Sequence, residues 1–205
     1  MLSLYVSGTA TIFGSAIGIP LGALIGLKEF GGKGAVKTVT YTLYGFPPIL
    51  SGLLIYMIFS RSGPLGFLGI LFTPTAMILA ETLLVIPLVT GITITSVVEV
   101  DRSVKDTVRA LGASHRQTTL TIMREAWVGL VMACMIGFGR VIAEVGAAYL
   151  VGGNIRGKTN VLTTEIMFNT RLGEFEWAIG LGIVLLSVAM VVFFFLRLLQ
   201  EKEML

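Results

Sequence analysis

Charge is scarce in this sequence: 13% of its 205 residues are Asp, Glu, Lys or Arg, against roughly 25% in a soluble domain. There is one cysteine, Cys134, inside an apolar run, which excludes a disulfide framework. There is one histidine, His115, which argues against a histidine-rich metal site. The only aspartates, Asp101 and Asp106, share one polar segment, so no aspartate pair lies within an apolar run. Nothing therefore assembles a nucleophile with a base, and a membrane-embedded protease or zinc hydrolase lacks its machinery. No internal repeat divides the chain into related halves, as secondary carriers ordinarily show. What the chain does have is apolar mass. Its apolar residues make up 55% of the total and its mean hydropathy is +0.90, which points to an integral membrane protein.

Apolar stretches fall at 3–27, 38–60, 75–98, 126–148 and 177–198. Each is long enough to cross a bilayer core of about 30 Å as a helix. The expected fold is all-α, a single transmembrane domain over 1–205 with about five spans and no room for a second folded domain. The first stretch has no basic leader and is apolar from Met1 to Tyr5, so it reads as a retained span and not a signal peptide. Shorter apolar patches at Pro64–Phe72 and Asn160–Met167 are either re-entrant or extracytoplasmic turns.

The basic residues orient the spans. One set of loops holds Lys28, Lys33, Lys37, Arg102, Lys105, Arg109, Arg116, Arg124, Arg197 and Lys202; the other holds Arg61, Arg156, Lys158 and Arg171. The richer set belongs in the cytoplasm, because basic loops resist translocation. Gly14, Gly18, Gly22 and Gly26 recur every fourth residue and form a smooth stripe on the first span, and Gly129, Ala133 and Gly137 form another on the fourth. Such stripes let a second backbone approach closely, as static packing or as a sliding surface. Pro47-Pro48 and Pro87 predict kinks in the second and third spans.

The segment from Glu99 to Glu125 is too long and too patterned for a simple connection. Val104, Val108 and Leu111 share one helical face, with Lys105, Asp106 and Arg109 on the other side. Gly112 stands where a helix stop belongs. Ser114 with Gln117 forms a capping-box pattern that starts a second helix. The helix–turn–helix could bind DNA, lie on the lipid surface or dock in a groove of a cytoplasmic partner. Its place between two spans makes nucleic acid the weakest of these.

Asp106-Thr107-Val108-Arg109-Ala110-Leu111-Gly112-Ala113-Ser114 resembles the EAA loop of ABC-transporter permeases of the type I importer class. Gly112 and Ile122 match that pattern at the right spacing. Asp106 stands for its Glu, Thr107 and Val108 for its alanines, and Arg124 and Glu125 for its closing Leu-Pro. The runs Gly139–Ala147, Val151–Gly157 and Leu162–Ile166 are similar to the tungstate and molybdate permeases. So are Gly18–Gly22 and Arg61–Gly66, which look most like the tungstate branch. The resemblance covers nearly the whole chain. It implies the membrane subunit of an oxyanion importer in a bacterial or archaeal cell membrane. Implied partners are a second copy of the chain, an extracytoplasmic oxyanion-binding protein, membrane lipid, and cytoplasmic ATPase subunits that grip Asp106, Arg109, Ala110, Leu111, Gly112, Ala113 and Ser114. No cofactor is expected in this chain, since ATP and magnesium would sit on the ATPase. The residues leave tungstate, molybdate, sulfate and phosphate open as cargo.

Arg140 and Glu144 are four apart on the fourth span and would share a face. They are either a neutral pair that locks the bundle or a path-adjacent pair in which Arg140 favours a dianion and Glu144 limits its grip. The polar run that follows, with Gly153, Asn154, Thr163 and Thr164, is either an outer turn or a concavity of hydrogen-bond donors at the end of the path. Gly152–Thr159 also matches the spacing of a nucleotide-binding P-loop. That loop needs a strand before it, and here a helix-length apolar span precedes it, on the side away from cytoplasmic ATP.

Overall fold

A computed structural model of the chain describes residues 1–202, with all side chains there except those of Lys105, Arg109 and residues 199–202. The contributions of Lys105, Arg109 and Lys202 inferred from sequence thus lie outside the described side chains. Among the described residues the regular structure is helical, with no strand. The helices are α1 (Leu2–Leu27), α2 (Lys33–Thr42), α3 (Pro48–Phe59), α4 (Pro74–Glu99), α5 (Arg102–Ala110), α6 (His115–Glu125), α7 (Trp127–Ile142), α8 (Gly146–Gly152), α9 (Leu162–Leu172) and α10 (Phe175–Lys202). Helices α1, α4 and α10 are each long and apolar enough to span alone; counting the bent pairs α2 with α3 and α6 with α7 as one span each gives up to five.

Helix α4 is the axis of the bundle, and α1, α3, α7 and α8 all pack on it. The glycine stripe of α1 explains the closest of these contacts. A Cβ at Gly14 would lie 2.5 Å from Val85, one at Gly18 3.0 Å from Val89, and one at Gly22 2.5 Å from Thr93 Cβ and from the Thr90 carbonyl oxygen. A Cβ at Gly26 would collide with Val97. In lipid there is little hydrophobic drive between helices, so this close van der Waals seam is the main source of association. Helix α7 uses the same device, with Gly129 against Ser96, Gly137 against Val85 and Val89, and Ala133 fully buried. Pro20 and Pro87 lie inside α1 and α4 without ending them.

Two expected rods are broken. The second stretch turns by 97° between Gly45 and Pro48. Phe46 and Pro47 each precede a proline and are held extended, at ψ 118° and 124°, so no helix continues through them. The fourth stretch ends at Ile142, and its remainder forms the separate helix α8. The patch at Asn160–Met167 is the entry to α9, and Pro64–Phe72 is a turn carrying a short 3-10 segment at Gly66–Leu68.

The two ends of the bundle are distinct. At one, the Leu162 amide donates to Ser3 Oγ at 2.9 Å and the Phe72 amide to Val151 O at 2.8 Å. At the other, a cleft of about 870 Å³ is lined by Glu29, Lys33, Lys37, Arg102 and His115. The bias in basic residues puts this second end in the cytoplasm.

Candidate functional site

The turn between α5 and α6 is built by three local devices. Asp101 Oδ1 accepts the Ser103 amide at 2.7 Å and starts α5. Gly112 adopts φ +75°, and the Ala113 amide returns to Val108 O at 3.2 Å, which closes α5 with a left-handed cap. The expected capping box is present: the Gln117 amide reaches Ser114 Oγ at 3.4 Å, and Gln117 Oε1 accepts the Ser114 amide at 2.7 Å. Val104 and Val108 are half-buried, but Leu111 is 81% exposed. The helix ends at Ala110, so the turn carries Leu111 away from the face its spacing predicts. Asp106, Ala110, Gly112 and Ser114 are also exposed and Ala113 is half-buried, which leaves a rigid knob with an apolar tip; the Arg109 side chain lies outside those described.

Near the opposite end, the structure joins Glu144, Asn154, Thr163 and Thr164 into one hydrogen-bonded unit. Glu144, 9% exposed, accepts the Ala147 amide through Oε1 at 3.1 Å, and its carbonyl accepts the Thr163 hydroxyl at 2.8 Å. Thr164 donates to Asn154 Oδ1 at 2.7 Å and accepts the Val161 amide at 3.1 Å. Gly153 and Asn154 both have positive φ, +71° and +48°, and reverse the chain after α8. Arg140 stands apart. It is exposed on α7 and forms no ion pair among the described residues, so of the two readings the neutral Arg140–Glu144 ion pair is absent. The reason is local: α7 stops at Ile142, and the helical register that would align residues four apart ends before Glu144.

The P-loop spacing at Gly152–Thr159 has no strand before it and no phosphate cradle. The Thr159 hydroxyl is turned inward onto Gly152 O at 2.6 Å and also accepts the Ile155 amide.

One functional candidate was not singled out from sequence. Glu81, the only charged residue in 75–98, is 2% exposed within α4. Its carboxyl meets the Ser7 hydroxyl of α1 and lies near Glu144, and its Oε2 has no hydrogen-bond partner. A charge within an apolar span was the available signal, because ionisable groups are rare there and tend to be functional. No group of three or more His, Cys, Asp or Glu side chains suited to a metal occurs among the described residues.

Comparison with known proteins gives this geometry a family. Residues 18–204 match the family model described as binding-protein-dependent transport system inner membrane component. A tungstate uptake system permease protein, TupB, of Peptoclostridium acidaminophilum is 40% identical over 201 residues, covering 98% of this chain and 88% of that protein. A probable anion ABC transporter permease protein of Haloferax volcanii is 39% identical over 194 residues, covering 92% of this chain and 84% of the relative. In fold, the chain is similar to a solved chain of the inward-facing MetNI methionine ABC transporter, with a TM-score of 0.77 at 19% identity over 98% of this chain and 93% of that one. The match to the family model and these near-full-length likenesses place the chain in the binding-protein-dependent transport system inner membrane components, as a membrane permease subunit of an ABC importer and not an enzyme.

Proposed function

We propose that the chain is the permease of a tungstate importer. The observation that carries this reading is the 40% identity to a tungstate uptake permease across nearly the whole of both chains. Two copies enclose one path at their interface, and an extracytoplasmic binding protein delivers the oxyanion. Cytoplasmic ATPase subunits hold the ATP and magnesium and receive the knob of Asp106, Arg109, Ala110, Leu111, Gly112, Ala113 and Ser114. An exposed apolar tip on a rigidly capped turn suits insertion in a protein cleft, and Leu111 supplies that tip. When the ATPases close on ATP, the knobs are drawn together and the path turns outward, an alternation carried by rigid-body motion.

At the outer end of the path, Arg140 contributes positive field beside a dianion. Glu144, Gly153, Asn154, Thr163 and Thr164 hold the shape of the gate. Their internal hydrogen bonds favour a positioning role over direct ligation of the anion.

The test is uptake and ATP hydrolysis by the reconstituted complex. Tungstate-loaded binding protein should stimulate hydrolysis. A Gly112→Trp variant should keep basal hydrolysis and lose most of the stimulation, because φ +75° strains any side chain there. Stimulation by molybdate or sulfate with none by tungstate would overturn the cargo. Unchanged stimulation in Gly112→Trp would overturn the knob's role.

A further inference from the structure

We propose that the groove between α1, α6, α7 and α10 seats an acyl chain of an anionic phospholipid, with its phosphate on Arg124. The groove holds about 880 Å³ and is lined by Ile19, Met123, Trp127, Val131, Cys134 and Leu196, with Arg124 as its one charged member. That volume is in the range of sites that enclose small organic ligands, roughly 300–1,000 Å³. The groove exists because α6 and α7 meet at 64°, so the seam beside Ala126 is not filled by a continuous helix.

Its apolar wall belongs to the spans α1, α7 and α10, where the surrounding medium is hydrocarbon. Its rim belongs to α6, where Leu120 is 64% exposed and Arg124 is exposed. Arg124 has no ion pair or hydrogen bond from its side chain among the described residues, and the neighbouring acid Glu125 does not line the groove. Trp127, one residue past the bend, is half-exposed at the same level, the depth at which tryptophan settles in membranes. Charge complementarity then selects the occupant. The rim lies at the end where the basic loops collect, which faces the leaflet rich in anionic lipid. An apolar slot below a solitary guanidinium matches an acyl chain below a phosphate.

The chain has two tryptophans, so Trp177→Phe leaves Trp127 as the sole reporter. The protein is reconstituted in vesicles whose phosphatidylglycerol or phosphatidylcholine carries bromine on the acyl chains. Phosphatidylglycerol should reach half-maximal quenching of Trp127 at about a fivefold lower mole fraction than phosphatidylcholine. Arg124→Gln should abolish that preference while phosphatidylcholine still quenches as before, which also shows that the variant is inserted and folded. Arg124→Lys should keep most of it. Maleimide labelling of Cys134 should be slowed by phosphatidylglycerol and not by phosphatidylcholine. Equal quenching by the two lipids, or a preference that survives Arg124→Gln, overturns the site. Absence of quenching by either lipid also overturns it, since a protein surface, such as a second copy, would then cover the groove.

Discussion

The Glu144 carboxylate holds the Ala147 amide, 3.1 Å away, and leaves Arg140 alone. A carboxylate three residues before an amide at the head of a short helix acts as its cap. This contact, not an ion pair, is what Glu144 contributes to the bundle. Glu144→Ala should lower stability by about 1 kcal/mol, and Glu144→Gln, which keeps an acceptor, should recover most of the loss. Arg140→Gln should change stability by less than about 0.5 kcal/mol. Unfolding midpoints of the purified protein in detergent distinguish these, and a large loss in Arg140→Gln would contradict the geometry.

The α1–α4 seam should tolerate no side chain. At Gly22 a Cβ meets both a backbone carbonyl and the Thr93 side chain, and the carbonyl has no room to give. Gly22→Val should destabilise by about 1–3 kcal/mol or more. Gly8→Ala, on the same helix with nothing within 4 Å of its Cβ position, is the control and should be near neutral.

Thr164 is fully buried and ties Asn154 to the head of α9. Thr164→Val keeps the shape and removes the hydroxyl, leaving the buried Val161 amide without its partner. A loss of about 1–3 kcal/mol is expected. Hydrogen exchange at the Val161 amide should accelerate markedly, whereas the amides of α1 should exchange as before.

Near the basic cleft, the Lys33 ammonium donates to Glu29 at 2.8 Å and to Gly26 O at 3.1 Å, bracing the end of α1. The hydrogen bond and charge of Lys33 hold the Glu29 carboxyl below its usual 4.5. A depressed acid stabilises above its unfolded value and loses that contribution as pH falls through its folded one. The brace is therefore complete at neutral pH and fades below about pH 4.5. Glu29→Gln should narrow the difference in unfolding midpoint between pH 6.5 and pH 3.5. The narrowing should be small, because the carboxylate is exposed and screened.

Several features were legible because they are written in short-range spacing. The glycines of α1, the stop at Gly112 and the Ser114–Gln117 box each act within about one helical turn, and each appears where its spacing puts it. The breaks were harder. Pro47-Pro48 announced a kink, but a kink and a 97° corner have the same local signature; the difference lies in two consecutive extended residues, Phe46 and Pro47. Between α7 and α8 there is no proline, and Glu144 is the one charged residue of the link Ala143–Val145. The break depends on where the Glu144 side chain turns, which periodicity cannot express. Reading Arg140 and Glu144 as a pair assumed a helix that had already ended. Leu111 was placed on the packed face for the same reason, one residue beyond the end of α5.

The meshed seam of α1 and α4 has a mechanical consequence. Notches at Gly14, Gly18, Gly22 and Gly26, filled in turn by Val85, Val89, Thr93 and Val97, allow no slippage between the two rods. They must travel together. A tug applied at the inner tip of α4, next to α5, thus arrives at the outer tip of α1, where Ser3 is fastened to the head of α9. The pair is a lever about as long as the membrane is thick, with the α5–α6 turn at one extremity and the Ser3–Leu162 tie at the other.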